Sequence, residues 1–193
     1  MRRSIIACGL LLALAGIPSA VATAAGGRGQ VESTKAQHTA RAHAEARSID
    51  YWSGVASRAQ AATRLWLTVV RGAPPRQGFA PRRIVSAQAA RHVARIWQRR
   101  AIAARRVAQH PPNLHVWYCI HHYEGSWTDA NAPYWGGLQM DYSFQNAYGH
   151  WLLAHRGTAN HWTPLQQIWA GVRAWRVRGF SPWPNTAHAC GVY

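Results

Sequence analysis

The sequence predicts an α+β, mostly helical chain: a small C-terminal domain with a short β-hairpin or extended loop, preceded by a basic arm that is partly helical or disordered. Three observations lead there. Apolar residues recur at spacings of three and four in residues 55–71, 84–109, 113–124 and 164–178, as in helices with one buried face. One turn-rich segment, 126–140, sets Asp129, Asn131, Pro133, Gly136 and Gly137 around aromatic residues, as hairpins do. Charge and tryptophan then divide the chain. Residues 26–112 carry 16 of the 22 basic side chains, and residues 113–193 carry 8 of the 11 tryptophans.

Residues 1–25 read as an address. Arg2 and Arg3 precede an apolar run over 5–17, and small residues follow to Ala25. This is the pattern of a secretory signal, too short and wrongly flanked for a membrane span, with cleavage expected after Ala24 or Ala25. Cleavage there is expected to remove Cys8 and to place the mature protein outside the cell. Cys119 and Cys190 remain. In an exported chain an isolated pair most simply forms one disulfide, the alternative being two buried free thiols.

The arm, 26–112, has only Glu32, Glu45 and Asp50 as acids. Gly, Ala, Arg and Gln dominate its start, the composition of a disordered segment. Over 55–71, Leu65, Trp66, Val69 and Val70 share one helical face; over 84–109, Val85, Ala89, Val93, Ile96 and Trp97 do the same. Pro74-Pro75 and Pro111-Pro112 bound the second helix. Its arginine-rich polar face suits an anionic surface, either phosphate-bearing wall polymers or a membrane surface. The plainer alternative is a solvated linker kept soluble by its charge. Export, and the lack of a recognition motif, argue against nucleic acid as a partner.

In the domain, 113–193, Asn113 is expected to cap a helix through Glu124, with Gly125 as its stop. Adjacent Gly136 and Gly137 let backbone approach a ligand or another element closely. Asp141 is expected to cap a short helix ending at Gly149, with another helix over 151–155. Thr163-Pro164 and Gln166 form a capping box before the stripe Leu165, Ile168, Trp169, Val172 and Trp175. Arg173, Arg176 and Arg178 suit the dipole at that helix's end, and Gly179 stops it. Extended chain is expected from Phe180 to Cys190.

Glu124 is one of six acids in the chain and closes the first domain helix, seven residues after Trp117 and so on the same face. The negative end of the helix dipole and burial against aromatic rings both favour the protonated carboxyl, the form a general acid needs. The plainer alternative is an exposed helix-end residue paired with an arginine or histidine.

Read in order, WYCIHHYEGSW, YWGGLQMDYSFQNAYG, TPLQQIWAGVRAW and GFSPWP with a late cysteine resemble the resuscitation-promoting factors. Their transglycosylase-like domain belongs to the lysozyme superfamily. The resemblance covers 113–193 and none of the arm. It implies a small lysozyme-like domain, mostly helical with a short β-hairpin. It also implies a lytic transglycosylase or muramidase that cleaves peptidoglycan glycan strands in wall remodelling or resuscitation. Glu124 matches the family's invariant glutamate, Gly136, Gly137, Leu138 and Gln139 match the block beside its cleft, and Cys119 and Cys190 match its disulfide. Two features depart from the family. Cys119 lies five residues before Glu124 rather than directly before it, and Gly125-Ser126-Trp127 replaces a serine-rich stretch.

Most glycosidases use two carboxylates. Here only Asp129 and Asp141 are available beside Glu124, and they read first as a turn former and a helix cap. The family is similar to one-carboxylate lytic enzymes, so neither is required. Sugar rings stack on aromatics and hydrogen-bond to amides and hydroxyls. Substrate binding is therefore expected from Trp127, Asn131, Tyr134, Trp135, Gln139, Asp141, Tyr142 and Trp183. The chain is expected to act as a monomer with no cofactor and no metal. His121 and Glu124 stand three apart, but no zinc signature supplies further ligands. A non-catalytic wall-glycan-binding module is the alternative to an enzyme.

Overall fold

The computed structural model describes residues 26–75 and 84–192, with side chains from residue 29 onward. The expected secretory signal, residues 1–25, lies outside the described residues. The chain divides into two units, Met1–Ala42 and His43–Tyr193. In the first, helix α1 (Gly26–Arg71) is already formed where composition suggests disorder. Its side chains from residue 29 to Ala42 are all exposed, and the Thr34 and Thr39 hydroxyls donate back to the Gln30 and Lys35 carbonyls.

The second unit holds the rest of α1 and everything after it. Helix α2 (Ala87–Gln109) starts at Ser86, whose Oγ accepts from Ala89 N–H at 3.2 Å. Glu45 of α1 accepts the Ala87 N–H at 2.6 Å, a carboxylate where the helix dipole favours one. Arg91 lies 5.5 Å over the Trp52 ring and Arg105 5.9 Å over the Trp66 ring. These contacts advance together in both sequences, so α1 and α2 run parallel.

The buried face of α2 is Ala87, Ala90, Ala94, Ala104 and Ala108. This corrects the expected face: Val85 precedes the helix and is 76% exposed, and Leu65 of α1 is 53% exposed. Alanine brings a helix backbone closer to its neighbour than valine or isoleucine allows. The branched residues are left at the margin.

Both helices dock by their C-terminal ends. Trp169 donates its indole N–H to the Ala108 carbonyl at 2.8 Å. Arg173 donates from Nε to Tyr148 O at 2.6 Å and from Nη1 to Val70 O at 3.0 Å. Arg173 was expected to serve the dipole of its own helix; it instead satisfies end carbonyls of α1, where Gly72 takes a φ of 79°. Burial pushes its pKa down to about 10.

Helix α3 (Leu114–Glu124) follows Asn113, which caps through its backbone only. Asn113 is left-handed (φ 56°) with no side-chain cap bond, a conformation asparagine tolerates. Strands β1 (Tyr134–Trp135) and β2 (Met140–Asp141) pair antiparallel, Tyr134 opposite Asp141 and Trp135 opposite Met140. The chain is thus α+β, mostly helical, with one short hairpin. Helix α4 (Tyr142–Arg156) runs through the two short helices expected there, kinked at Gly149 where the Trp162 ring leaves no room for a Cβ.

A 3-10 turn (Ala159–His161) leads to α5 (Pro164–Arg178), which opens on the full Thr163–Gln166 capping box. Helix α6 (Pro184–Ala189) occupies part of the stretch expected to be extended. It is too short to show a periodic pattern. The core gathers Trp117, Ile120, Leu138, Met140, Leu152, Ile168, Trp169 and Val172, none more than 2% exposed. Each such side chain contributes about 1.5–3 kcal/mol by burial.

Candidate active site

Glu124 is the last residue of α3, and its backbone exit is set by Gly125 (φ 142°), whose N–H returns to His121 O. The Cys119–Cys190 disulfide, with Cα atoms 6.0 Å apart, ties α3 to the end of α6. It closes a span of 71 residues, and loop entropy assigns such a link about 4 kcal/mol in the chain-entropy account. The bond fastens the two helices that carry Glu124 and Thr186. Thr186 Oγ1 donates to Glu124 Oε1 at 2.8 Å. Glu124 is half-buried, and among the described residues Oε2 has no hydrogen-bond partner and no cation lies at ion-pair distance. The arginine or histidine pairing that would make it an ordinary helix end is not formed there.

The hairpin leans on the same point. Asp129 Oδ1 accepts from the Asn131 backbone N–H (3.1 Å) and side-chain amide (2.6 Å), making the expected turn. Its Oδ2 accepts from Gln139 Nε2 at 2.8 Å. Gln139 is left-handed (φ 46°) and also donates to Gly136 O at 3.0 Å. A Cβ on Gly125 would stand 3.5 Å from Gln139 Nε2 and 3.7 Å from Asp129 Oδ2. The amide and the second carboxylate therefore sit against the residue next to Glu124.

A groove of about 530 Å³ runs beside the hairpin, and Tyr134, Gln139, Asp141, Tyr148, Arg178 and Trp183 contribute to its lining. Its volume suits a ligand of one or two sugar rings. Four expected binding residues, Tyr134, Gln139, Asp141 and Trp183, come together in it. Glu124, Trp127, Asn131, Trp135 and Tyr142 are not among its lining. Tyr134 and Tyr142 are exposed, at 49% and 60%.

Trp183 is only 4% exposed and donates its indole N–H to Leu138 O at 2.7 Å, so little of its ring is open to the groove. Trp127 stacks on the His121 ring at 3.9 Å and packs on Gly137. Trp135 is half-buried and Asn131 is engaged with Asp129. Asp141 accepts the Phe144 N–H at 2.6 Å and the Ser143 hydroxyl at 2.7 Å. Those bonds, first the backbone one, hold its carboxyl below the usual value.

The glycine pair is explained by another element. Gln167 of α5 is fully buried, and its Oε1 accepts the Gly137 N–H at 2.8 Å. Its Nε2 donates to Trp127 O (2.7 Å) and Ala159 O (2.8 Å). A Cβ on Gly136 would strike that amide, and one on Gly137 would meet His121 and Trp127. Sequence reasoning missed Thr186, Gln167 and Arg178 as parts of this site. The first two act on residues 62 and 30 positions away, and no local pattern marks such pairings. Among the described residues no group of three or more His, Cys, Asp or Glu side chains could hold a metal ion. Comparison with protein-family models, curated proteins and solved structures finds no match to this chain.

Proposed function

We propose that the protein is an exported enzyme that cleaves the glycan strands of peptidoglycan, with Glu124 as general acid and then general base. One observation carries the reading: a half-buried carboxyl at a helix end is held through one oxygen by Thr186, with its other oxygen unpartnered among the described residues. An acid arranged in this way has one oxygen fixed and one left for substrate. The ordered blocks that resemble resuscitation-promoting factors supply the substrate class.

Protonated Glu124 gives its proton to the glycosidic oxygen between N-acetylmuramic acid and N-acetylglucosamine as the bond to the muramic C1 breaks. The resulting carboxylate then takes a proton from the attacking hydroxyl. Attack by the muramic 6-OH yields a 1,6-anhydro sugar; attack by water yields a reducing end. Asp141 is spent on capping α4 and Asp129 on its turn, so neither is assigned a step. Gln139 and Tyr134 would hold the strand in the adjoining groove.

A second reading, a non-catalytic glycan-binding module, is favoured by one fact: Glu124 is not among the residues lining that groove. Digestion of purified peptidoglycan by the full chain, wild type and Glu124→Gln, with mass spectrometry of the products, separates the two. Released anhydro or reducing muropeptides from wild type, reduced about 100-fold or more in the variant, are expected. Equal release by both would remove Glu124 from the mechanism. Strand binding by both without release would establish the binding module.

A further inference from the structure

We propose that α1 and α2 form a docking face for a linear polymer whose charge is carried by phosphodiesters of a polyol backbone. The proposal does not depend on Glu124. Residues 43–112 carry thirteen arginines against Glu45 and Asp50, and Glu45 is committed to the Ala87 N–H. On α2, Arg91, Arg95, Arg99 and Arg106 are all exposed. At a helical 100° per residue they fall within one arc of about 80°, on the exposed side of the helix. Arg91, Arg95 and Arg99 follow at four-residue steps, about 6 Å apart along the axis. No acid among the described residues lies at ion-pair distance from them, so their charge is available to a partner.

Two open grooves meet at this ladder. Arg91, His92 and Arg95 border one, which Glu45 flanks; Arg95, Arg99 and Ile102 border the other, with Ala59 of α1 across from them. A strand laid along both would pass successive guanidinium groups, each able to take a phosphate through two parallel N–H bonds.

The same face disfavours other polyanions. Binding to a bilayer by an amphipathic helix buries a continuous apolar face in the lipid. The alanine face of α2 is buried in the protein, and its exposed Ile102 and Val107 lie about 140° apart around the helix and form no such face. Single-stranded nucleic acid is held by stacking bases on open aromatic rings. Here Trp52, Trp66 and Trp97 are each covered by an arginine, at 5.5, 5.9 and 4.7 Å. What remains is repeated charge with bidentate donors, matched to a backbone of phosphates without bases.

The test uses the full chain and immobilised poly(glycerol phosphate). Arg95, Arg99 and Arg106 are changed together to Gln, which leaves Arg91 and Arg105 on their rings; Arg156→Gln is the control, and circular dichroism confirms the fold. Wild type and control are expected to bind alike and to lose on the order of tenfold or more in affinity between about 50 and about 200 mM salt. The triple variant is expected to bind about tenfold or more weakly at low salt. Equal binding by wild type and the triple variant would overturn the proposal. So would tighter binding to anionic vesicles or to a single-stranded oligonucleotide than to the polyol phosphate.

Discussion

Asp141 and Glu124 are carboxyls of the candidate site with different assignments, and local bonding sets them apart. Asp141 accepts two hydrogen bonds that favour its ionised form, from the Phe144 N–H and the Ser143 hydroxyl. Its folded pKa therefore lies below the unfolded value of 3.8. The stability it contributes is complete above that value and is lost as pH falls through the folded pKa. Asp141→Ala is expected to cost about 1 kcal/mol at neutral pH, the usual worth of an N-cap. The gap between variant and wild type should narrow as pH falls below that unfolded value, measured by chemical denaturation along the acid series. A gap that stays constant into acid would mean that the bond does not discriminate between the charge states. The Asp141 cap was legible because it is a local rule: the acceptor and the N–H it serves are three residues apart. The partnership of Thr186 with Glu124 was not, since only the tertiary packing of α3 on α6 creates it.

At the scale of elements, the hairpin and α5 are one construction, joined by Gln167. The sequence showed a glycine pair and left two uses open, a ligand or a second element; packing decides for the second. Gly136 takes a φ of 74°, and its Cβ would strike a fully buried amide fixed by several hydrogen bonds. Gly137 has no left-handed φ, and its Cβ would press on the half-buried rings of His121 and Trp127. Gly136→Ala is thus expected to cost more than about 2 kcal/mol and Gly137→Ala about 1–2 kcal/mol, both read from urea denaturation. The reverse order would place the rigid neighbour at Gly137. Helix limits set by caps, such as Thr163 and Gly179, were readable in the same way. The buried face of α2 was not. Alanine is a helix former on either face, so five buried alanines leave a weaker apolar stripe than the valines and isoleucine beside them.

For the molecule as a whole, the question is what joins the arm to the domain, because composition alone divides the chain at 112/113 and the compact unit begins at His43. Arg173 supplies much of the joint. It carries a charge out of water with no carboxylate partner among the described residues, and its Nη2 is buried without a hydrogen bond among them. Burial, with the nearby Arg176 charge adding to it, disfavours that charge and depresses its pKa to about 10. Against that stand its bonds to Tyr148 O and Val70 O, at 2.6 and 3.0 Å. Each charge-assisted bond is worth about 1.5–3 kcal/mol, and its loss would strand a carbonyl away from water. Methionine would leave both carbonyls without their donor, so Arg173→Met is expected to destabilise the second unit by about 2 kcal/mol. The sign of the pH effect follows from a base whose folded pKa is depressed. The unfolded chain holds the extra proton from about 10 up to the ordinary arginine value, so this group raises stability with pH in that window and is silent below it. The loss in Arg173→Met should accordingly be the same from about pH 6 to about pH 8 in thermal unfolding. A variant as stable as wild type would show that the end of α1 is held by packing around Trp169 and not by the guanidinium.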